Sequence, residues 1–413
     1  MLKRTFNFTL VFIGIVLFGF ITMVLSYCIP NQKIKENIVN DLYQSFNVYQ
    51  ILPGSEETTL DVSTDSIILG ELITYKKDKS LLENTVEVYG HKGGVEGLKN
   101  YVAGKKVEIE DYTRYWHGYL IILKPLFLLF TYSTLKLMQL FFQLILIIVL
   151  AKLMKKNNLE KYIIPLLISL FLIHPEAIGM TFQYSSMYNL MLISSIILLK
   201  YNEKFNNKNL FSYYFLIVGM LTSFFDFLTY PAVTFGIPII FYLLLNKKTI
   251  KKQILDIIKY GLIWCTGYIG MWFSKWVIAS IILNENVISS SLGAVFWRSS
   301  ADEFTRLDAI KNNIMVYREE GYFYIFLSII IYYIIKIFKN RNNIKKNNLI
   351  KIIPFVLIAI IPFAWYFVIS NHSYIHYWMT YRELLIFCLA GTVSLEYLSN
   401  KDRSVKNGKK QKS

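Results

Sequence analysis

The stretch Asn7–Tyr27, NFTLVFIGIVLFGFITMVLSY, decides the fold class. It carries no charged residue and is long enough for a single helix to cross a hydrocarbon core of about 30 Å. Lys3 and Arg4 precede it, and Leu25-Ser26-Tyr27-Cys28 closes it with the outline of a lipoprotein cleavage site. The bulky Tyr27 before the cysteine argues against cleavage, and a small-residue signal-peptidase site is missing. Residues 1–27 therefore read as an uncleaved membrane anchor.

Outward from this anchor, nine more apolar runs follow, at roughly 133–153, 161–174, 184–200, 209–225, 229–246, 257–283, 322–338, 350–370 and 383–398. The run 161–174 is short because Pro175 interrupts it, and 257–283 is long and carries Lys275. Composition agrees with this reading. Of 413 residues, 54% are hydrophobic and only 17% charged, against about a quarter in soluble chains. So little polar surface cannot cover a water-soluble globule. The expected fold is an all-α polytopic membrane protein of about ten transmembrane helices.

The net charge of +16 could suggest nucleic acid, but the Lys and Arg residues lie between apolar runs, where the positive-inside rule places them. With the N-terminus cytoplasmic, the inner segments are 1–6, 152–161, 200–208, 247–259, 336–351 and 399–413. They hold 26 of the 44 basic residues, whereas 174–183 and 226–231 hold none. Acids run the other way, with 23 of 28 outside or at the outer boundary. Ten spans with both termini inside is the expected topology, and nucleic acid is excluded as a partner. The chain then divides into the anchor 1–27, an extracytoplasmic loop 28–132, a bundle of nine spans over 133–398, and a basic cytoplasmic tail 399–413.

A first loop of this size is usually functional. It has helix-like stretches at Lys33–Tyr49 and about Asp65–Tyr75, no strong strand alternation, and punctuation at Pro53-Gly54 and His91-Lys92-Gly93-Gly94. Its end, Tyr119–Tyr132, is apolar but contains Lys124-Pro125, which suits a helix lying in the interface. Three cysteines make no disulfide framework. Cys265 and Cys388 fall in apolar runs and read as small core residues.

Polar groups where lipid begins are costly and tend to mark function. Leu60-Asp61-Val62-Ser63-Thr64-Asp65 puts a carboxylate, Asp65, at that level, although Ser63 or Thr64 capping a short helix is the plainer reading. Asp111-Tyr112-Thr113-Arg114-Tyr115-Trp116-His117-Gly118-Tyr119 would be an interfacial aromatic belt but for Arg114 and His117. Arg114 suits a phosphate and His117 a sugar or phosphate oxygen. His174-Pro175-Glu176 breaks a span beside two polar side chains, which suggests a lined cavity; the plainer reading leaves Glu176 in water. Asp226, within Phe225-Asp226-Phe227-Leu228-Thr229-Tyr230-Pro231, needs a partner or simply marks a tight turn. Asn371-His372-Ser373-Tyr374-Ile375-His376-Tyr377-Trp378-Met379-Thr380-Tyr381-Arg382 sets His372 and His376 four apart. That falls short of a zinc motif but suits a sugar–phosphate pocket, with aromatic faces for sugar rings and Arg382 for phosphate. Lys275 could serve the same end, or snorkel. A Walker loop, a Rossmann turn, a His-Glu-x-x-His pair and a Gly-x-Ser-x-Gly elbow are all missing.

One span, a large outer loop with acids, closely spaced spans and a second acid-bearing loop resemble the GT-C class of membrane glycosyltransferases. The matching acids are Asp65 (or Asp61, Asp111) in the first loop and Glu176 in the second. Arg114-Tyr115-Trp116-His117-Gly118-Tyr119 and Asn371-His372-Ser373-Tyr374-Ile375-His376 are similar to bacterial polytopic proteins of cell-surface polysaccharide assembly. The Asp-Asp or Asp-Glu pair common soon after the first span in the GT-C class is missing here. The resemblance implies a transferase that takes a sugar from a polyprenyl-phosphate carrier in the membrane lipid and passes it to a glycan acceptor. A carboxylate would remove the acceptor proton, while Arg114, Arg382 and Lys275 would stabilise the leaving phosphate. Some members hold a divalent metal with acids, for which Asp65 and Glu176 would be the pair to test. A polymerase or ligase of surface polysaccharide is the alternative. A transporter or flippase is disfavoured because mid-span charge is nearly absent.

Overall fold

The computed structural model describes residues 2–42, 60, 62–319, 322–339 and 346–399. The chain is almost entirely helical. Helix α1 (Leu2–Tyr27) is followed by a segment of short elements: α2 (Asn31–Leu42), α3 (Val62–Ile73), α4 (Leu81–Glu87), β1 (Tyr89–His91), α5 (Gly94–Val102), β2 (Ile109–Asp111) and α6 (Leu120–Phe127). Strands β1 and β2 pair antiparallel, Tyr89 opposite Asp111 and His91 opposite Ile109. Three-residue strands are too short to display a period of two, so the sequence carries no sign of them. Asp61, Pro53-Gly54, the stretch from Tyr43 to Tyr49 and the basic tail from 400 onward lie outside the described residues.

The bundle continues with α7 (Tyr132–Lys156), α8 (Ile163–Phe171), α9 (Pro175–Gly179), α10 (Phe182–Asn207), α11 (Phe211–Phe225), α12 (Val233–Leu245), α13 (Ile250–Leu283), α14 (Val287–Ser299), α15 (Arg306–Glu319) and α16 (Tyr322–Lys339). It closes with α17 (Lys346–Lys351), α18 (Ile353–Ala359), α19 (Ile361–Val368), α20 (Ser370–Ile375), α21 (Tyr377–Thr380) and α22 (Leu384–Ser399). Five helical stretches are long and apolar enough to cross a membrane: Asn7–Tyr27, Tyr132–Lys156, Phe182–Asn207, Ile250–Leu283 and Leu349–Val368. Helices α11 and α12 are apolar but shorter. The run 161–174 folds as the nine residues of α8, about 14 Å of helix. It stops where His174 takes a left-handed backbone ahead of Pro175.

Burial sorts these helices into centre and rim. The apolar window of α10 is 67% buried, against 17% for α1 and α7. Leu17, Phe18 and Leu25 of α1, and Phe141, Ile145 and Ile148 of α7, turn large apolar side chains outward. A water-soluble monomer does not expose such continuous apolar faces, whereas lipid would cover them. Cys388 is buried, while Cys265 faces out of the bundle.

Helices α11 and α13 cross closely because glycines meet at the crossing. A Cβ on Gly219 would fall on the Trp264 carbonyl, and one on Gly267 on the Leu216 carbonyl. Small residues at such crossings let backbones approach. The short elements between α1 and α7 share one core with both helices, through Met23, Ile38, Leu69, Trp116 and Leu135, and it reaches Met220 and Met271. This segment therefore sits on one end of the bundle. Asp41 ties it down by accepting from the Ser133 N–H at 2.7 Å, at the start of α7.

Candidate functional site

At the end of the bundle where α3 meets the N-terminus of α10 lies a cavity of about 240 Å³. Its walls come from four separated parts of the chain: Thr64 and Ile67 on α3, Tyr112, Arg114 and Tyr115 after β2, Trp297 and Arg298 at the end of α14, and His372, His376, Trp378 and Met379 around α20 and α21. Gln183 and Phe227 complete it. Three residues expected from the sequence, Arg114, His372 and His376, are thus brought together. Arg298, Gln183 and the two tryptophans join them.

Electrostatics in this cavity are one-sided. The Arg298 guanidinium donates to the Tyr115 hydroxyl at 2.8 Å, and both Arg298 and Arg114 bear electrostatically on that hydroxyl. Burial nevertheless raises the Tyr115 pKa. The Nε atoms of Arg114 and Arg298 are buried without a hydrogen-bond partner, and neither guanidinium forms an ion pair with a described residue. No carboxylate lines the cavity among the described residues. Two guanidinium groups without a counter-charge are costly unless an anion completes them.

His372 and His376 stand with ring centroids 4.6 Å apart. Nε2 of His372 lies 2.6 Å from the Leu228 carbonyl, and a carbonyl only accepts, so Nε2 carries the proton. Burial, then repulsion from His376, pushes the His372 pKa down to about 3. This imidazole is neutral at physiological pH. The Trp378 ring is 5.1 Å from that of His376, and Trp378 and Trp297 are both partly open to solvent.

Two buried carboxylates brace the walls from behind. Asp65 is fully buried and does not line the cavity. It accepts from the Tyr132 hydroxyl at 2.7 Å and from the Phe182 and Gln183 N–H groups at 3.0 and 3.3 Å. It thereby caps α10 and fixes Gln183, whose side chain donates to the Met379 sulfur at 3.0 Å. The second brace is Glu71, which is not among the residues expected from the sequence. Fully buried, it accepts from the Tyr119 hydroxyl and lies 3.2 Å from His117 Nδ1. His117 Nε2 donates to the Tyr112 carbonyl at 2.9 Å, so this cluster holds the turn leading to Arg114.

The other expected residues stand apart from the cavity. Asp111 is exposed on β2 and accepts from the Thr113 hydroxyl. Glu176 pairs with His174 at 2.9 Å and is partly exposed. Asp226 makes a turn between α11 and α12, its Oδ1 accepting from the Thr229 N–H and hydroxyl at 2.9 and 2.6 Å. Its Oδ2 is buried without a partner, and burial pushes its pKa up to about 6. Lys275 donates to the Val86 carbonyl at 2.7 Å, holding the end of α4. Arg382 is fully buried, with its guanidinium 4.0 Å from the Tyr184 ring centroid. The acid pair Asp65 and Glu176 does not fit a divalent metal, because the Asp65 oxygens are already taken by N–H and hydroxyl donors. Among the described residues no three His, Cys, Asp or Glu side chains cluster for a metal.

Arg298 and Glu71 carry signals in the sequence that point to them. Arg298 sits in Phe296-Trp297-Arg298, the same arginine-among-aromatics pattern as Arg114. Glu71 interrupts the apolar run Ile67-Ile68-Leu69-Gly70-Glu71-Leu72-Ile73. No family model, curated protein or solved structure matches the chain.

Proposed function

We propose that the chain is a membrane transferase that takes a sugar from a polyprenyl-phosphate carrier and passes it to a cell-surface glycan acceptor. In this reading the protein has about ten spans in a GT-C-like arrangement, both termini face the cytoplasm, and the cavity opens outward. The lysine asymmetry along the sequence supports that orientation. A single observation carries the function: Arg114 and Arg298, free of carboxylates, converge with two imidazoles and exposed tryptophans in one crevice.

The chemistry follows from those groups. Aromatic faces stack on a sugar ring, and planar guanidinium forks fit a phosphate. The bond between the anomeric carbon and the phosphate oxygen breaks as the acceptor oxygen bonds to that carbon. The departing phosphate keeps the electron pair, and Arg114 with Arg298 stabilises it electrostatically. The acceptor hydroxyl must lose its proton to a base. His372 is too weak a base at a pKa of about 3, which leaves His376 as the base among the described lining residues. Asp65 and Glu71 act as positioning residues behind the walls.

The test is the sugar composition of the cell surface in strains carrying Arg114→Gln, Arg298→Gln or His376→Ala at unchanged protein level. Loss of one specific sugar is expected from all three. Normal glycan in all three overturns the proposal. The lack of a described lining carboxylate favours a second reading, a polysaccharide polymerase or ligase working with basic groups. Those variants would then shift glycan chain length and leave sugar identity intact.

A further inference from the structure

The turn His91-Lys92-Gly93-Gly94 closes β1 and opens α5. His91 is fully buried there, and neither ring nitrogen has a hydrogen-bond partner among the described residues. A neutral imidazole carries one N–H donor and one acceptor, so both are left unsatisfied, which is costly and uncommon in a buried side chain. His117, the other imidazole between α1 and α7, is the contrast. Its Nε2 donates to the Tyr112 carbonyl, and its Nδ1 lies against Tyr119 and Glu71.

Close packing alone holds the ring. It lies between α3 and α5, where two glycines make room for it: a Cβ on Gly70 would come within 2.5 Å of Nε2, and one on Gly97 within 3.2 Å of Nδ1. No ion pair reaches it from the elements packed against it. On α3, Asp65 is taken by Tyr132 and the first N–H groups of α10, and Glu71 by Tyr119 and His117. On α5, Glu96 is exposed, and Tyr101 faces the imidazole with ring centroids 5.9 Å apart. On β2, Glu110 bears on it electrostatically but accepts from the Tyr112 hydroxyl, and Glu108 before it pairs with Lys92. Burial pushes the His91 pKa below its ordinary value, and its own backbone and Glu110 act against that shift without cancelling it. A charged imidazolium in this slot would be a buried cation without a salt bridge, so the closed arrangement of β1, α3 and α5 favours the neutral ring.

We propose that His91 is an acid-sensitive latch: protonation of its ring parts α3 from α5 and opens this segment while the bundle behind it stays folded. Helix α3 carries Thr64 and Ile67, which line the arginine-bearing cavity, and Asp65, which caps α10. Acidification therefore takes down one wall of that cavity, whatever ligand the cavity holds. The sign follows from linkage. The closed segment keeps His91 neutral and the opened segment takes up a proton, so opening becomes easier as pH falls through about 6.5.

The test is hydrogen exchange of the full chain in detergent at about pH 7.5 and about pH 5.5, with rates corrected for the intrinsic effect of pH. Peptides from α3 and α5 are compared with peptides from α11 and α13. In the native chain, protection in α3 and α5 should fall by up to about tenfold between the two conditions, the limit set by a free imidazole pKa of about 6.5. Helices α11 and α13 should keep theirs. His91→Met and His91→Gln, neither of which titrates, should abolish the fall, whereas His372→Gln should leave it in place. A fall that persists in the His91 variants, equal loss in all four helices, or no fall in the native chain overturns the latch. Should neither His91 variant fold, His117→Gln decides: a fall confined to α3 and α5 that survives this change upholds the latch, and its disappearance overturns it.

Discussion

The Asp65 carboxylate accepts a hydrogen bond from the Phe182 N–H at 3.0 Å, joining residues 117 positions apart. Asp65 therefore acts as the N-terminal cap of α10, the most buried of the five helices long enough to cross a membrane, supplied by another part of the chain. Asp65→Ala removes that cap and the bond that the Tyr132 hydroxyl donates to it. A loss of about 1–3 kcal/mol in stability is expected, checked by thermal unfolding of the purified protein. Asp65→Asn keeps one accepting oxygen and should lose less. An Asp65→Asn protein that is fully stable yet inactive would move this carboxylate from the scaffold into the reaction.

Arg298→Lys keeps the positive charge and gives up the planar fork. Binding of a polyprenyl-phosphate sugar should weaken about tenfold, since a lysine offers a point charge where two parallel hydrogen bonds were available. Titration of the purified variant with that ligand measures it. Unchanged affinity would mean that the guanidinium faces no phosphate.

Stability should depend on pH through two groups of opposite sign. His372 has its pKa depressed to about 3, so the unfolded chain binds more protons and folding weakens as pH falls from about 6.5 toward 3. Asp226 has its pKa raised to about 6. There the folded chain binds more protons, and folding weakens as pH rises from about 4 to 6. His372→Gln should therefore flatten the acid side of the stability curve. Asp226→Asn, which keeps the Thr229 contacts, should stabilise the protein above pH 6 and change little below pH 4. Melting temperatures across that range decide both.

Gly267→Ala sets a methyl group against the Leu216 carbonyl and should separate α11 from α13, at a cost of about 1–3 kcal/mol. The same change at Gly14, where a Cβ would meet nothing within 4 Å, should be neutral or slightly stabilising. Comparing the two melting temperatures tests whether the helix crossing depends on backbone contact.

Much of the helical layout could be read from the chain because apolar run length is a local property. The anchor 7–27 and the long helix ending near Leu283 need no distant partner to be recognised. Tyr119–Tyr132 also yielded its helix, α6, because the pattern is contained within it. Asp65 could not be read in the same way. Its role is set by Phe182 and Tyr132, which no spacing rule connects to it. Arg382 looked like a phosphate ligand beside aromatic residues, but two rings, the neighbouring Tyr381 and the distant Tyr184, pack against its guanidinium. Proximity in sequence to His376 did not reveal which way the guanidinium faces. Arg298 belongs in the cavity only because α14 and α20 pack together, a tertiary event.

Helix α13 has one further consequence, through its length. Its 34 residues extend about 51 Å, and even a lean of about 40° leaves a rise near 39 Å against a hydrocarbon slab of about 30 Å. With α13 as a span, part of this rod would therefore stand clear of the lipid tails. The chain would fit a thicker bilayer with less overhang, so a change of host membrane thickness should raise or lower both of its tips relative to the water line.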